Sequence, residues 1–259
     1  MFFASAIRPR FLVSAFLSAF VLHGYGQAIP PATAIPIVFT RSLAAGQSRP
    51  GDPVSAKTIQ AVTLPNGTLL PAGAQVLGHV VASTPFVFDA TPYAAQKSSL
   101  LSIHFDSIAE TGTPIPVALS VRAIAGPVAS HQAETPRFAD EKDWSGALLL
   151  IGGETTAPLE KTILSSDGNV VGYNRKQGAF ARLLPAASVN PDADVQCGAT
   201  DPEQSIGIFS ADACGAYGLN SVSLIASGSR GDGTFVLESH QRSVKLYAGS
   251  TALLQVVAR

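Results

Sequence analysis

Residues 50–57 read Pro-Gly-Asp-Pro-Val-Ser-Ala-Lys, and residues 64–80 read Leu-Pro-Asn-Gly-Thr-Leu-Leu-Pro-Ala-Gly-Ala-Gln-Val-Leu-Gly-His-Val. Turn residues (Pro50-Gly51, Pro65-Asn66-Gly67, Pro71-Ala72-Gly73) separate short apolar runs. β-strands joined by tight turns are written this way. A helix needs an uninterrupted apolar stripe of period 3.6, and none fits this stretch.

The same grammar continues on both sides. Upstream, residues 35–40 read as a first strand and residues 41–52 as a Gly/Ser/Pro loop. Downstream, Leu101, Ile103 and Phe105 alternate with Ser102, His104 and Asp106, the period of two of a half-buried strand. Val117, Leu119 and Val121 alternate with Ala118, Ser120 and Arg122. The two runs are expected to pair antiparallel, polar face to solvent. Residues 126–143 and 185–200 read as long loops, and Asp167-Gly168-Asn169 as a hairpin turn between Ile163 and Val171. Residues 144–151 are apolar and fit either a strand or a helical turn. Phe235 and Leu237, Val244 and Leu246, and then Ala252, Leu254 and Val256 give a strand-rich C-terminal part. The fold class that follows is all-β: an antiparallel β-barrel or barrel-like sandwich with long loops.

Bulk composition narrows the function. Hydrophobic residues are 46% of the 259 and charged residues 14%, which excludes disorder. A net charge of -1 offers no field for nucleic acid. Aromatic residues are 7%, with Trp144 the single tryptophan, which is thin for stacking on sugars.

Residues 1–28 read as a secretory signal: Arg8 and Arg10, an apolar core over 11–22, and small Gly26 and Ala28 at the cleavage spacing. The apolar core is shorter than the roughly 20 residues of a spanning helix. The mature chain is therefore expected to be exported to the periplasm, outer envelope or medium, without crossing a membrane by helices. Nor does it carry the dyad-patterned, aromatic-girdled segments of a lipid-facing barrel. Residues 29–259 are expected to form a single barrel-like domain. In an oxidising compartment Cys197 and Cys214, the two cysteines, are expected to form a disulfide inside an insert spanning about residues 185–218. By chain-entropy reasoning it would contribute about 3 kcal/mol.

Candidate chemistry is sparse. His104 and Asp106 sit two apart on one strand face, as half a metal site or an acid–base pair would. An amphipathic strand shows the same two residues on its solvated side, and spacing places no third ligand. His79 follows Gly78 in a strand, and His131 and His240 stand alone. Asp192, Asp194 and Asp201 supply too few oxygens for calcium. Ser227-Gly228-Ser229 is a turn, not a nucleophile elbow, and Arg230-Gly231-Asp232 is what a hairpin tip uses. No catalytic residue, metal or cofactor is expected. A glycan- or ligand-binding alternative requires Tyr93, Trp144, Tyr173 or Tyr217 on a concave surface.

Three pieces in order carry a family resemblance: Leu69-Leu70-Pro71-Ala72-Gly73 leading into Val76-Leu77-Gly78-His79-Val80, residues 102–121, and Val244-Lys245-Leu246-Tyr247-Ala248-Gly249 through Leu254 and Val256. Together they resemble the C-terminal β-barrel of the TrbI family, core-channel subunits of type IV secretion and conjugation systems. The resemblance covers under half of the mature chain. It implies a non-enzymatic envelope protein with a structural or protein-interaction role, whose partners are other envelope proteins or its own copies. Family members carry an N-terminal membrane anchor and an apolar helical hairpin. Here a signal sequence and the cysteine segment stand in those places.

Overall fold

The computed structural model describes residues 29, 33–63, 69–89, 91–92, 95–110, 112–134, 148–152, 155–156, 162–164, 170–175, 178–181, 204–205, 208–209, 213–226 and 233–256. In chain order these form β1 (Ala34–Phe39), β2 (Leu43–Ala44), β3 (Pro53–Thr58), β4 (Val62–Thr63), β5 (Leu69–Leu70), β6 (Gln75–Thr84), β7 (Ser99–Glu110), β8 (Thr113–Pro116), β9 (Leu119–Ala125) and α1 (Pro127–Glu134). There follow β10 (Leu148–Leu149), β11 (Thr155–Thr156), β12 (Thr162–Leu164), β13 (Val170–Arg175), β14 (Gly178–Ala181), β15 (Gln204–Ser205), β16 (Gly215–Tyr217), β17 (Ser223–Ala226), β18 (Thr234–Ser239), β19 (Lys245–Leu246) and β20 (Thr251–Val256).

A ten-stranded sheet runs β16-β9-β20-β1-β3-β6-β7-β18-β17, with β8 attached to β7. Its two ends meet, since β17 lies against both β9 and β16, so the sheet curls into a nearly closed barrel. All its ladders are antiparallel except β16 on β9, which is parallel. The all-β, barrel-like expectation holds, and the purely antiparallel one is corrected at this seam. A second sheet, β10 to β15, is a six-stranded meander in sequence order. The antiparallel pairing of β12 with β13 fits the hairpin expected there, although residues 165–169 lie outside the described ones.

The barrel interior is built by the alternation that the sequence displays. Leu101, Ile103 and Phe105 are fully buried, and Phe105 packs between Phe39 (ring centroids 6.2 Å) and Phe235 (5.7 Å). Burial of such rings contributes about 1.5–3 kcal/mol each. The strands then change parity at bulges. On β7, Leu77 pairs with Ser107 but Gly78 with Phe105, so Asp106 is the extra residue. Beyond it Ile108, rather than an odd-numbered residue, faces the core. Likewise Leu254 pairs with Val121 and Leu253 with Ala123, leaving Arg122 as the extra residue of β9. A bulge inserts one unpaired residue and resets which side chains point inward.

Arg122 is a correction to the solvent-facing alternation. It is buried at 2% exposure, and its Nε donates to the Ala213 carbonyl at 3.1 Å. A second layer explains this. Ala34, Ala123, Ala125 and Leu253 point outward from β1, β9 and β20 and are covered by Ala133 of α1, Leu150, Ile151, Phe209 and Ala213. Small outward side chains on the barrel wall let that layer approach.

The expected pairing of the 101–106 run with the 117–121 run is also corrected. β18 occupies that edge of β7, from Ser99 to His104. Only Ser107 to Glu110 remain free to pair with β8, after a turn at Gly112 (φ 92°). β8 carries Pro114 and Pro116, which cannot donate to a ladder and so stop it. The chain crosses instead to β20, where β9 is sandwiched.

The loop expected over 126–143 begins as a helix. Pro127 is suited to the first helical position, and Ser130 Oγ donates to the Gly126 carbonyl at 2.9 Å. Residues 135–147 and 182–203 lie outside the described ones, and with them half of the first expected loop and all of the second. Residues 1–28 do too. Among the described residues no helix is long and apolar enough to cross a membrane.

Candidate functional site

Two features of the described surface merit chemical description: a His–Asp–His cluster on the barrel wall and a groove beside α1. The cluster arises from register. His79 on β6 lies directly opposite His104 on β7, and their ring centroids are 5.3 Å apart. The bulge at Asp106 carries its carboxylate between them. Oδ2 is 3.0 Å from His79 Nδ1, and Oδ1 is 3.6 Å from His104 Nε2. His104 Nδ1 lies 3.2 Å from Thr234 Oγ1 on β18.

The sequence put His104 and Asp106 together and missed His79. Gly78 was the available signal, because a glycine inside a strand marks close backbone approach. A Cβ there would stand 2.2 Å from the His104 carbonyl oxygen. The cluster lies on an open strand face, with all three side chains partly exposed. Among the described residues no three His, Cys, Asp or Glu side chains gather as a metal site. What the arrangement does is stitch β6 to β7 across the bulge. His240 is similarly placed by Glu238 (3.5 Å), and His131 sits exposed on α1.

The groove has a volume of ≈ 580 Å³. One wall is the start of α1, with Pro127 and Val128; a second is the β16–β17 turn, with Gly218, Leu219, Asn220 and Val222; a third holds Arg242, Ser243, Lys245 and Tyr247. Local packing explains its shape. The Gly126 amide donates to the Tyr217 carbonyl at 2.9 Å, which ties α1 to β16. Gly218 has φ 63°, and a Cβ on it would come within 2.8 Å of Ala129 Cβ, so glycine lets the helix close down on the turn. Ser221, next to the lining residues Asn220 and Val222, is the one non-glycine residue with positive φ (61°) among those described, and its hydroxyl donates to Gln241 Oε1. Such strain persists only where surrounding structure holds it.

Val128 and Tyr247 are 68% and 51% exposed. Of the rings named from the sequence, Tyr93 and Trp144 lie outside the described residues, and Tyr173 lies on β13, in register with Phe180. Tyr217 is half-buried against the outer layer, where its Oη accepts from the Cys214 amide at 3.1 Å. Tyr247 was not singled out, because nothing in its local sequence signals a concave neighbour.

Cys214 is buried beside that layer, and Cys197 lies outside the described residues. The same holds for Asp192, Asp194 and Asp201, and for residues 227–232, which include both the serine turn and the Arg-Gly-Asp tripeptide. No family model, curated protein or solved structure matches the chain.

Proposed function

We propose that this protein is an exported, non-enzymatic barrel of the bacterial envelope that works by holding a protein partner. The observation that carries the reading is the groove between α1, the β16–β17 turn and the segment 242–247. It is concave, its three walls carry the apolar side chains of Val128, Leu219, Val222 and Tyr247, and it is built on a helix and barrel strands. The strained Ser221 at its edge supports a functional reading, since backbone strain of this kind clusters at binding sites. The motif order shared with the barrel of TrbI-like channel-core subunits supports an envelope role. In this reading residues 1–28 direct export, and Cys197 and Cys214 form a disulfide.

The test is a pull-down with the full, oxidised protein from envelope extract, alongside Val128→Asp and Tyr247→Ala. Envelope proteins retained by the wild type and lost from both variants support the reading. An identical set of partners with all three proteins refutes the groove as the contact. Mass spectrometry of unreduced peptides checks the disulfide, and cell fractionation checks the compartment.

The alternative is a ligand- or glycan-binding module. Among the described residues Tyr247 is the one ring lining the groove, and a single ring gives a sugar little to stack on. Partner binding therefore ranks first.

A further inference from the structure

We infer that the groove accepts an extended acidic segment of a partner protein, in which apolar side chains alternate with Asp or Glu. The inference rests on the groove being the binding site, and it adds the chemistry of what binds there. Three observations on charge converge. Arg242 and Lys245 stand exposed on the rim, and no Asp or Glu is among the described residues lining it. The positive end of α1 opens onto the same space, and its first turn holds no acidic residue to neutralise it. The chain as a whole carries a net charge of -1, so this is a local positive site on a slightly acidic protein. Complementary potential selects partners and steers their approach.

The apolar lining sets the rest of the ligand. Val128, Leu219, Val222 and Tyr247 offer apolar contact beside the two cations. A compact small molecule needs most of its surface enclosed. Here Val128 and Tyr247 remain more than half exposed, which suits a chain lying along an open groove. An extended peptide presents alternate side chains to opposite sides. Its apolar positions can therefore face the apolar lining while its carboxylates reach the rim cations.

The experiment uses the full-length oxidised protein and two fluorescein-labelled synthetic peptides. Both carry the same alternating Leu and Phe positions, with Glu between them in one and Lys in the other. Anisotropy titrations are expected to show the Glu peptide binding at least about tenfold more tightly than the Lys peptide, with the preference shrinking as salt rises. The Arg242→Glu, Lys245→Glu double variant is expected to lose that preference or reverse it. Val128→Asp and Tyr247→Ala are expected to weaken the Glu peptide by about tenfold; both sites are exposed, and circular dichroism checks that the variants stay folded.

Equal binding of both peptides, lost in Tyr247→Ala, overturns the acidic chemistry and keeps the groove. Binding of the Glu peptide that is unchanged by Val128→Asp and Tyr247→Ala overturns the groove itself. Groove-dependent binding of decanoate with neither peptide bound overturns the peptide in favour of a small amphipathic anion. Binding of nothing overturns the proposal.

Discussion

Replacing Gly78 by alanine sets two physical effects against each other. Propensity favours the change: alanine in a strand loses less chain entropy on folding than glycine, by about 0.5–1 kcal/mol. Geometry opposes it. The new Cβ would lie 2.2 Å from the His104 carbonyl oxygen and 3.1 Å from both the His104 carbonyl carbon and Phe105 Cα. All three are backbone atoms of the adjacent strand, so no side-chain rotation relieves the overlap. Reaching ordinary contact requires β6 and β7 to separate by about 1 Å at the bulge, which also moves Phe105 out of its place between Phe39 and Phe235. Overpacking of this kind costs about 1–3 kcal/mol, and immovable backbone puts it at the upper end. The net expectation is a destabilisation of about 2 kcal/mol. With a urea m-value of about 2 kcal/mol/M, the midpoint falls by about 1 M while the slope stays unchanged. The assay is equilibrium urea unfolding followed by circular dichroism. A midpoint equal to or above that of the wild type would mean that Gly78 does not face the His104 carbonyl, and the register through the Asp106 bulge would be wrong.

Asp106→Asn keeps the shape of the His79–His104 bridge but removes its charge; because the groups are exposed, urea unfolding should shift by no more than about 0.5 kcal/mol. Arg122→Ala should cost about 2–4 kcal/mol, since it empties a buried site and abandons the Ala213 carbonyl. Hydrogen exchange should then accelerate first at Gly215 to Tyr217, the strand that the outer layer supports. Hydrogen bonds from the Thr91 hydroxyl and amide, with Lys97 nearby, hold the Asp89 carboxyl below its ordinary value of 3.8. A depressed carboxylate contributes stability above its unfolded pKa and loses it as pH falls through the folded one. An NMR titration should place the Asp89 midpoint below 3.8 in the wild type and nearer to it in Thr91→Val.

How far the sequence could be read depended on whether each signal was local. Turn chemistry around Gly51 and Gly73 and the alternation of Leu101, Ile103 and Phe105 are local, and the barrel built from them was legible. Bulges are not local. Asp106 and Arg122 look like ordinary members of an alternating run until the partner strand shows that each is one residue too many. That is why Arg122 was assigned to solvent and His79 was not joined to Asp106. The position of β18 along β7 likewise depends on a strand more than a hundred residues away, and it excluded the pairing that adjacency suggested. α1 escaped notice because eight residues with Ala133 as the inward anchor give almost no periodic stripe. The groove was illegible because its walls come from separate segments, with α1 far in sequence from the other two.

The position of β1 has a consequence in time. It lies between β3 and β20, so its partners are a strand made almost at once and one that ends at Val256. As the chain emerges from its N-terminus, one edge of β1 stays unpaired until β20 appears. Contacts of that sequence separation make folding slow, and an open apolar edge is where chains aggregate. The cell must therefore keep this chain from its neighbours until β20 is made, and deleting β20 should leave an aggregating product rather than a smaller barrel.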